Sequence, residues 1–309
     1  MMNLNPTTSH SKRRGMTLVE ILVVITIIAM LAGMLIPVIG AVRRRGEVTA
    51  TVLEIQNLKA ALETYKQKVG DYPPDGSNSV VFQRHVRIAF PRIAPQEMNN
   101  LLSLIIEPHE PEITYLDPAE SLVFFLGGFS DDPRFPFTGK GGPLANNRNP
   151  GIFDFDPQRL GTNDDNDPFP VYYPRGSEIP FVYFDSRTYM PRAIYTYNGA
   201  GVPAAAYPLE HNHGASPVKG VARPYRSDQP RQATADDGYG YKWVNPNTFQ
   251  IIAAGVTDDY GLDLDPVPLD GIPTNKTPYK HYPSGANYSD GDNSNITSFS
   301  QGTLEDDIP

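Results

Sequence analysis

Hydrophobic and polar positions divide this chain into zones of different period. Residues 1–15 are polar and end in Lys12-Arg13-Arg14-Gly15. Residues 16–39 are almost all apolar, with Thr17, Glu20 and Thr26 as the main exceptions. At 1.5 Å per residue, that run is long enough to cross a ~30 Å hydrocarbon layer. Beyond Arg43, Arg44 and Arg45 the pattern becomes amphipathic. Val48, Val52, Ile55, Leu62, Tyr65 and Val69 recur at three-, four- and seven-residue steps, and Glu47, Glu54, Lys59, Glu63 and Lys66 fill the other faces. Glu63 and Lys66 have helical i,i+3 spacing. Gly70 is placed to cap the helix, and Pro73-Pro74 forbid its continuation. The pattern predicts one helix over residues 16–69, about 80 Å long, bent at Pro37.

Residues 71–190 have no sustained period. Two short helices are expected there. "MNNLLSLIIEP" puts Leu101, Leu104 and Ile105 on one face and stops at Pro108. "DPAESLVFFLGG" has Asp117 as N-cap, Pro118 in the first turn, Glu120 as capping-box partner and Gly127-Gly128 at its end. "FSDDPRFPFTGKGGPLANNRNPG" reads as loop, and "IPFVYFDSRTYM" and "RAIYTYNGAG" read as strands. In residues 191–309, "YGYKWVNPNTFQIIAAGVTDDYG" reads as two strands joined by a turn at Asn245-Pro246-Asn247. An acidic tract follows: Asp258, Asp259, Asp263, Asp265 and Asp270. No internal repeat is present.

Composition narrows the function classes. The 26 glycines and 31 prolines predict much irregular structure. Net charge is −9, and without residues 1–15, which hold Lys12, Arg13 and Arg14 and no acid, it would be −12. That balance argues against a nucleic-acid binder, which needs a basic face. The absence of cysteine excludes disulfides, thiolate metal sites and cysteine nucleophiles. No Gly-x-Ser-x-Gly, P-loop or HExxH pattern occurs, and His211-Asn212-His213 stands without an obvious third ligand. The chain therefore reads as a non-enzyme.

Glu20 is the position that needs explaining, because a charge at that depth in lipid costs a few kcal/mol. Three readings compete for the apolar run. A secretory signal peptide has a shorter apolar region and a small-residue cleavage site, which Ala29-Met30-Leu31-Ala32 imitates. A plain signal anchor leaves Glu20 unaccounted for, and Lys12-Arg13-Arg14 balanced by Arg43-Arg44-Arg45 gives no orientation. The third reading accounts for Glu20. "KRRG" followed by "MTLVEILVVITIIAML" resembles the N-terminus of type IV pilins and of the pseudopilins of type II secretion. Their leader ends in glycine, and their mature helix carries glutamate as its fifth residue. Counting Met16 as first, Glu20 is fifth and Pro37 is twenty-second, where many pilins also carry a helix-kinking proline.

That resemblance implies a sequence of events. Prepilin peptidase cuts between Gly15 and Met16 and N-methylates the new amine of Met16. The subunit waits in the inner membrane as a single-pass protein with its C-terminal domain in the periplasm. It then polymerises, and Glu20 of one subunit meets the Met16 amine of its neighbour, each lowering the burial cost of the other. The implied fold is α+β, type IV pilin-like. Its long N-terminal helix, half transmembrane, packs on a small antiparallel sheet that carries a large irregular insertion. The divisions are a leader (1–15), a transmembrane or filament-core helix (16–42), an amphipathic periplasmic half-helix (43–70), a loop-rich insertion (71–190), and C-terminal strands with acidic loops (191–309). "GDYPPDG" is similar to the turn that follows the helix in major pseudopilins. The partners implied are further copies of the chain, minor pseudopilins, the inner-membrane assembly platform and secreted client proteins.

The C-terminal end is also similar to that of major pseudopilins, where "NP…F" leads into a strand, a glycine-aspartate loop and a second acidic segment. In that family the two loops bind calcium. The resemblance assigns Asp258 to the first loop and Asp292 to the second, with Asp259, Asp290 and Asn293 as neighbouring candidates. Asp290-Gly291-Asp292 does not open an EF-hand, since Gln301 stands where the closing glutamate is needed. A longer insert, residues 262–289, separates the loops here. A solvated acidic face is the alternative. Two other functions stay open: a subunit of a type IV pilus or DNA-uptake filament, and a membrane-anchored binding protein that never polymerises.

Overall fold

A computed structural model of the chain describes residues 16–105, 116–145, 147–162, 169–189, 194–198, 202–206, 211–212, 221–230, 241–261 and 280–309. The fold is α+β: one long N-terminal helix with several small, mainly antiparallel sheets. Helix α1, Leu18–Val69, runs for 52 residues and is helical through position 37. It ends where expected. Gly70 takes φ +99°, a left-handed conformation that glycine adopts without a Cβ penalty, and its N–H donates to Lys66 O at 2.7 Å.

By contacts the chain divides into residues 1–46 and residues 47–309. In the first unit the described helical residues are exposed, apolar side chains included. This helix is long and apolar enough to cross a membrane.

The second unit is built around a three-stranded antiparallel sheet. Among the described residues its strands in chain order are β1 (Leu160–Thr162), β2 (Pro170–Tyr172), β3 (Val182–Asp185), β4 (Ile194–Asn198), β5 (Val202–Ala206), β6 (His211–Asn212), β7 (Val221–Ala222), β8 (Arg226–Pro230), β9 (Tyr241–Trp243), β10 (Phe249–Ala253), β11 (His281–Tyr282) and β12 (Ile296–Thr297). The order of the central sheet is β12-β10-β3, with Ile251 opposite Tyr183 and Ala253 opposite Ile296. Side chains alternate between its two faces. Tyr183, Phe249, Ile251 and Ala253 join a core with Ile55, Leu58, Leu62 and Tyr65 of α1. Val182, Phe184 and Ile252 face a second core with Tyr225, Trp243 and Tyr260. Every residue of β3 and β10 is therefore buried, which is why "FVYFD" and "FQIIA" lack a polar alternation.

The "GDYPPDG" turn is fastened to both neighbours. Glu63 accepts from the Tyr72 hydroxyl at 2.6 Å, and the Lys66 ammonium lies 4.2 Å from the same ring. The i,i+3 pair thus converges on Tyr72. Asp75 is buried and accepts from Ser77, from the Asp185 N–H at 3.0 Å and from the Thr188 hydroxyl, tying the turn to β3.

Among the described residues, three α-helices lie in the region expected to be irregular. Helix α2, Ser79–Ala89, was not expected; Asn78 caps it by accepting from the N–H groups of Val80 and Val81. Helix α3, Pro95–Ile105, and helix α4, Ser121–Leu126, match the expected short helices. The capping box before α4 is present: Asp117 accepts from Ala119 and Glu120, and Glu120 accepts from the Asp117 N–H at 2.9 Å. All three contribute to the core that α1 covers. Strands β9 and β10 flank the turn at Asn245 but belong to different sheets: β9 pairs with β8, and β10 with β3 and β12.

Candidate functional site

Two places carry the expected function. The first is the start of α1. Thr17 and Glu20 form a reciprocal cap: Glu20 accepts from the Thr17 N–H at 3.3 Å, and the Thr17 hydroxyl accepts from the Glu20 N–H at 3.2 Å. The first turn of any helix leaves backbone donors unsatisfied. Glu20 uses its charge on one of them, and its position at the positive end of the helix dipole is favourable. The carboxylate is thus partly provided for within a single chain. Thr17 was not singled out in the sequence, although Thr-x-x-Glu before an apolar run is a capping-box pattern. Met16, immediately before this cap, is exposed. Gly15 and the basic residues Lys12, Arg13 and Arg14 lie outside the described residues. Arg43, Arg44 and Arg45 are exposed on α1.

The second place is the pair of C-terminal loops, which the fold does bring together. Residues 255–261 follow β10, and short helix α5, Asp290–Ser294, precedes β12. Because β10 and β12 are paired, the two loops leave the sheet side by side. Asn295 donates to Tyr260 O at 2.9 Å. The contact is close: a Cβ on Gly261 would lie 2.3 Å from a carboxylate oxygen of Asp292, and one on Gly255 would lie 1.8 Å from Ser294 O.

Within the loops the five candidate residues diverge. Asp292 is fully buried. Its Oδ2 accepts from the N–H and hydroxyl of Ser289 at 2.9 and 2.7 Å, the capping box of α5. Its Oδ1 accepts from the Tyr225 hydroxyl at 3.0 Å and pairs with the Lys280 ammonium at 2.6 Å. Asp258 turns to the other side and accepts from the Ser177 hydroxyl and the Glu178 N–H. Asp259 accepts from the Gly261 N–H at 2.8 Å. Asp290 is exposed and Asn293 half-buried.

Calcium takes six to eight oxygen ligands. Here the one buried carboxylate already has four internal donors, and a lysine stands against it. Among the described residues no group of three His, Asp or Glu side chains is placed to hold a metal ion. Among the described residues, the donor set around Asp292 does not fit calcium. Lys280 was missed because it lies twelve positions before Asp292, a spacing with no local meaning. Asp263, Asp265, Asp270 and His213 lie outside the described residues. Residues 211 and 212 are described only as strand β6, paired with β7.

Comparison with known families gives one match. Residues 10–36 match the prokaryotic N-terminal methylation motif. The matched span contains Gly15, Met16, Thr17 and Glu20 and ends just before Pro37. No curated protein and no solved structure matches the chain.

Proposed function

We propose that this chain is a type IV pilin-like subunit, a pseudopilin of a type II secretion system. The observation that carries the reading is the methylation motif over residues 10–36, which runs into a helix whose apolar half is exposed and which carries Glu20 as the fifth residue counting from Met16. In this reading prepilin peptidase cleaves after Gly15 and methylates the Met16 amine. The subunit resides in the inner membrane with residues beyond the apolar segment in the periplasm. Assembly exchanges lipid around α1 for the helices of other copies. Glu20 then trades part of its own cap for the Met16 amine of a neighbour, where the two charges neutralise each other in a dry core. Minor pseudopilins and the assembly platform start the filament, and secreted proteins are its cargo.

The rival reading is a type IV pilus or DNA-uptake filament, which uses the same N-terminal machinery. Deleting the coding sequence separates the two. Retention of exported enzymes in the periplasm supports the secretion filament. Normal secretion with loss of twitching or transformation assigns the chain to the rival. Intact secretion, twitching and transformation together contradict both.

A further inference from the structure

The two C-terminal loops meet around one buried acid, Asp292, and one buried base, Lys280, whose side chains are 0% and 1% exposed. A lone buried carboxylate is expensive, and a lone buried ammonium equally so. Together they are neutral, and the surroundings complete their hydrogen bonding. The Lys280 ammonium also points at Tyr260 O, 3.4 Å away on the first loop. Asn295, on the second, donates to the Tyr225 hydroxyl at 3.0 Å and to the same Tyr260 carbonyl. The Tyr225 hydroxyl in turn donates to Asp292. One cationic group therefore touches both loops, at an acid on one and a carbonyl on the other, as a bridging metal ion does. It reaches this place from within the long stretch that separates the loops in sequence.

We propose that the Lys280 ammonium is the resident cation of the C-terminal loops, and that this chain folds and holds them together without calcium. The carboxylate slots a divalent ion needs are filled by Lys280, Tyr225 and Ser289. An entering ion has to expel an ammonium that is itself buried. Gly261 also packs tightly on Asp292, where a Cβ would lie 2.3 Å from a carboxylate oxygen. The inference concerns the folded domain and stands whether or not the chain polymerises.

The test uses the full-length chain in detergent, with thermal unfolding followed by Trp243, the sole tryptophan. Expected is the same Tm in EGTA and in millimolar calcium. A rise of about 5–10 °C with calcium, the size that saturating a specific site brings, overturns the proposal. Lys280→Met keeps the aliphatic stem and leaves Asp292 buried and unpaired; it is expected to lower Tm by on the order of 10 °C. Adding Asp292→Asn to that variant removes the stranded charge and is expected to recover part of the loss. If the double variant melts no higher than Lys280→Met, the pairing is not what Lys280 supplies, and the proposal fails.

Discussion

The hydroxyl of Tyr65, on α1, lies 2.8 Å from Nε2 of His85, on α2, and both rings are buried, with Phe125 edge-on to each. Burial penalises the imidazolium, with a smaller contribution from Arg187, and lowers the His85 pKa to about 4. At His85 the folded chain thus binds fewer protons than the unfolded chain between pH 6.5 and 4. The histidine's own contribution, complete above pH 6.5, is lost as pH falls through this window, by roughly 3 kcal/mol in full. Burial pushes the Asp185 carboxyl the other way, up to about 7. A comparison of variants isolates the histidine. His85→Gln is expected to remove the histidine's contribution, so that its stability relative to the native chain rises as pH falls from 6.5 to 4, measured by denaturant unfolding at each pH. Parallel pH profiles contradict the assignment.

Arg159 joins the loop-rich region to α1. It pairs with Glu54 at 2.6 Å, donates to Tyr173 O and lies 4.5 Å from the Tyr172 ring. The Tyr172 hydroxyl donates to the other oxygen of Glu54 at 2.9 Å. Arg159→Ala is expected to cost about 2 kcal/mol, because Glu54 keeps its half-buried place with one donor fewer. Arg159→Lys recovers less than half, since an ammonium cannot stack and fork at once. The unfolding midpoints in urea check both values.

Two glycines with nearly the same positive φ separate strain from collision. Gly76 and Gly176 take φ +82° and +80°. A Cβ on Gly76 would lie 2.2 Å from Leu116 O, whereas at Gly176 nothing is within 4 Å. Gly176→Ala is expected to cost about 1 kcal/mol, the left-handed penalty alone. Gly76→Ala is expected to cost about 2–4 kcal/mol, because the turn held by Asp75 has to shift as well. Equal costs contradict the argument.

Glu20→Ala removes the acid half of the cap and the proposed partner of the neighbouring Met16 amine. Cleavage and membrane insertion are expected to remain, with filament yield reduced at least tenfold, about the effect of 1.4 kcal/mol per added subunit. Sheared-filament immunoblots measure it, and native yield from Glu20→Ala contradicts the assembly role.

The sequence made local features legible and distant ones not. The end of α1 at Gly70 and the Asp117–Glu120 capping box follow from residues within four positions of each other. Helix α2 escaped because its buried face includes His85 and Ser79 while Val80 and Ile88 are exposed. The buried histidine is tolerated there because Tyr65 supplies it a partner. The meeting of the two C-terminal loops followed from the family resemblance, and the β10–β12 pairing brings it about. The charge between them did not follow. Clustered acids suggested a metal, yet the partner of the buried one is a lysine fixed by tertiary packing. At the N-terminus the glycine, glutamate and helix length were all readable. Thr17 was overlooked because Glu20 invited a search for a partner outside the chain.

The central claim is that the apolar helix is a processed filament stem. The most direct measurement is mass spectrometry of the N-terminal peptide of the membrane-bound protein. A peptide beginning at N-methylated Met16 is the expected result. A peptide beginning at Met1 or Met2, or beyond Ala32, contradicts it and leaves an anchored or secreted binding domain in its place.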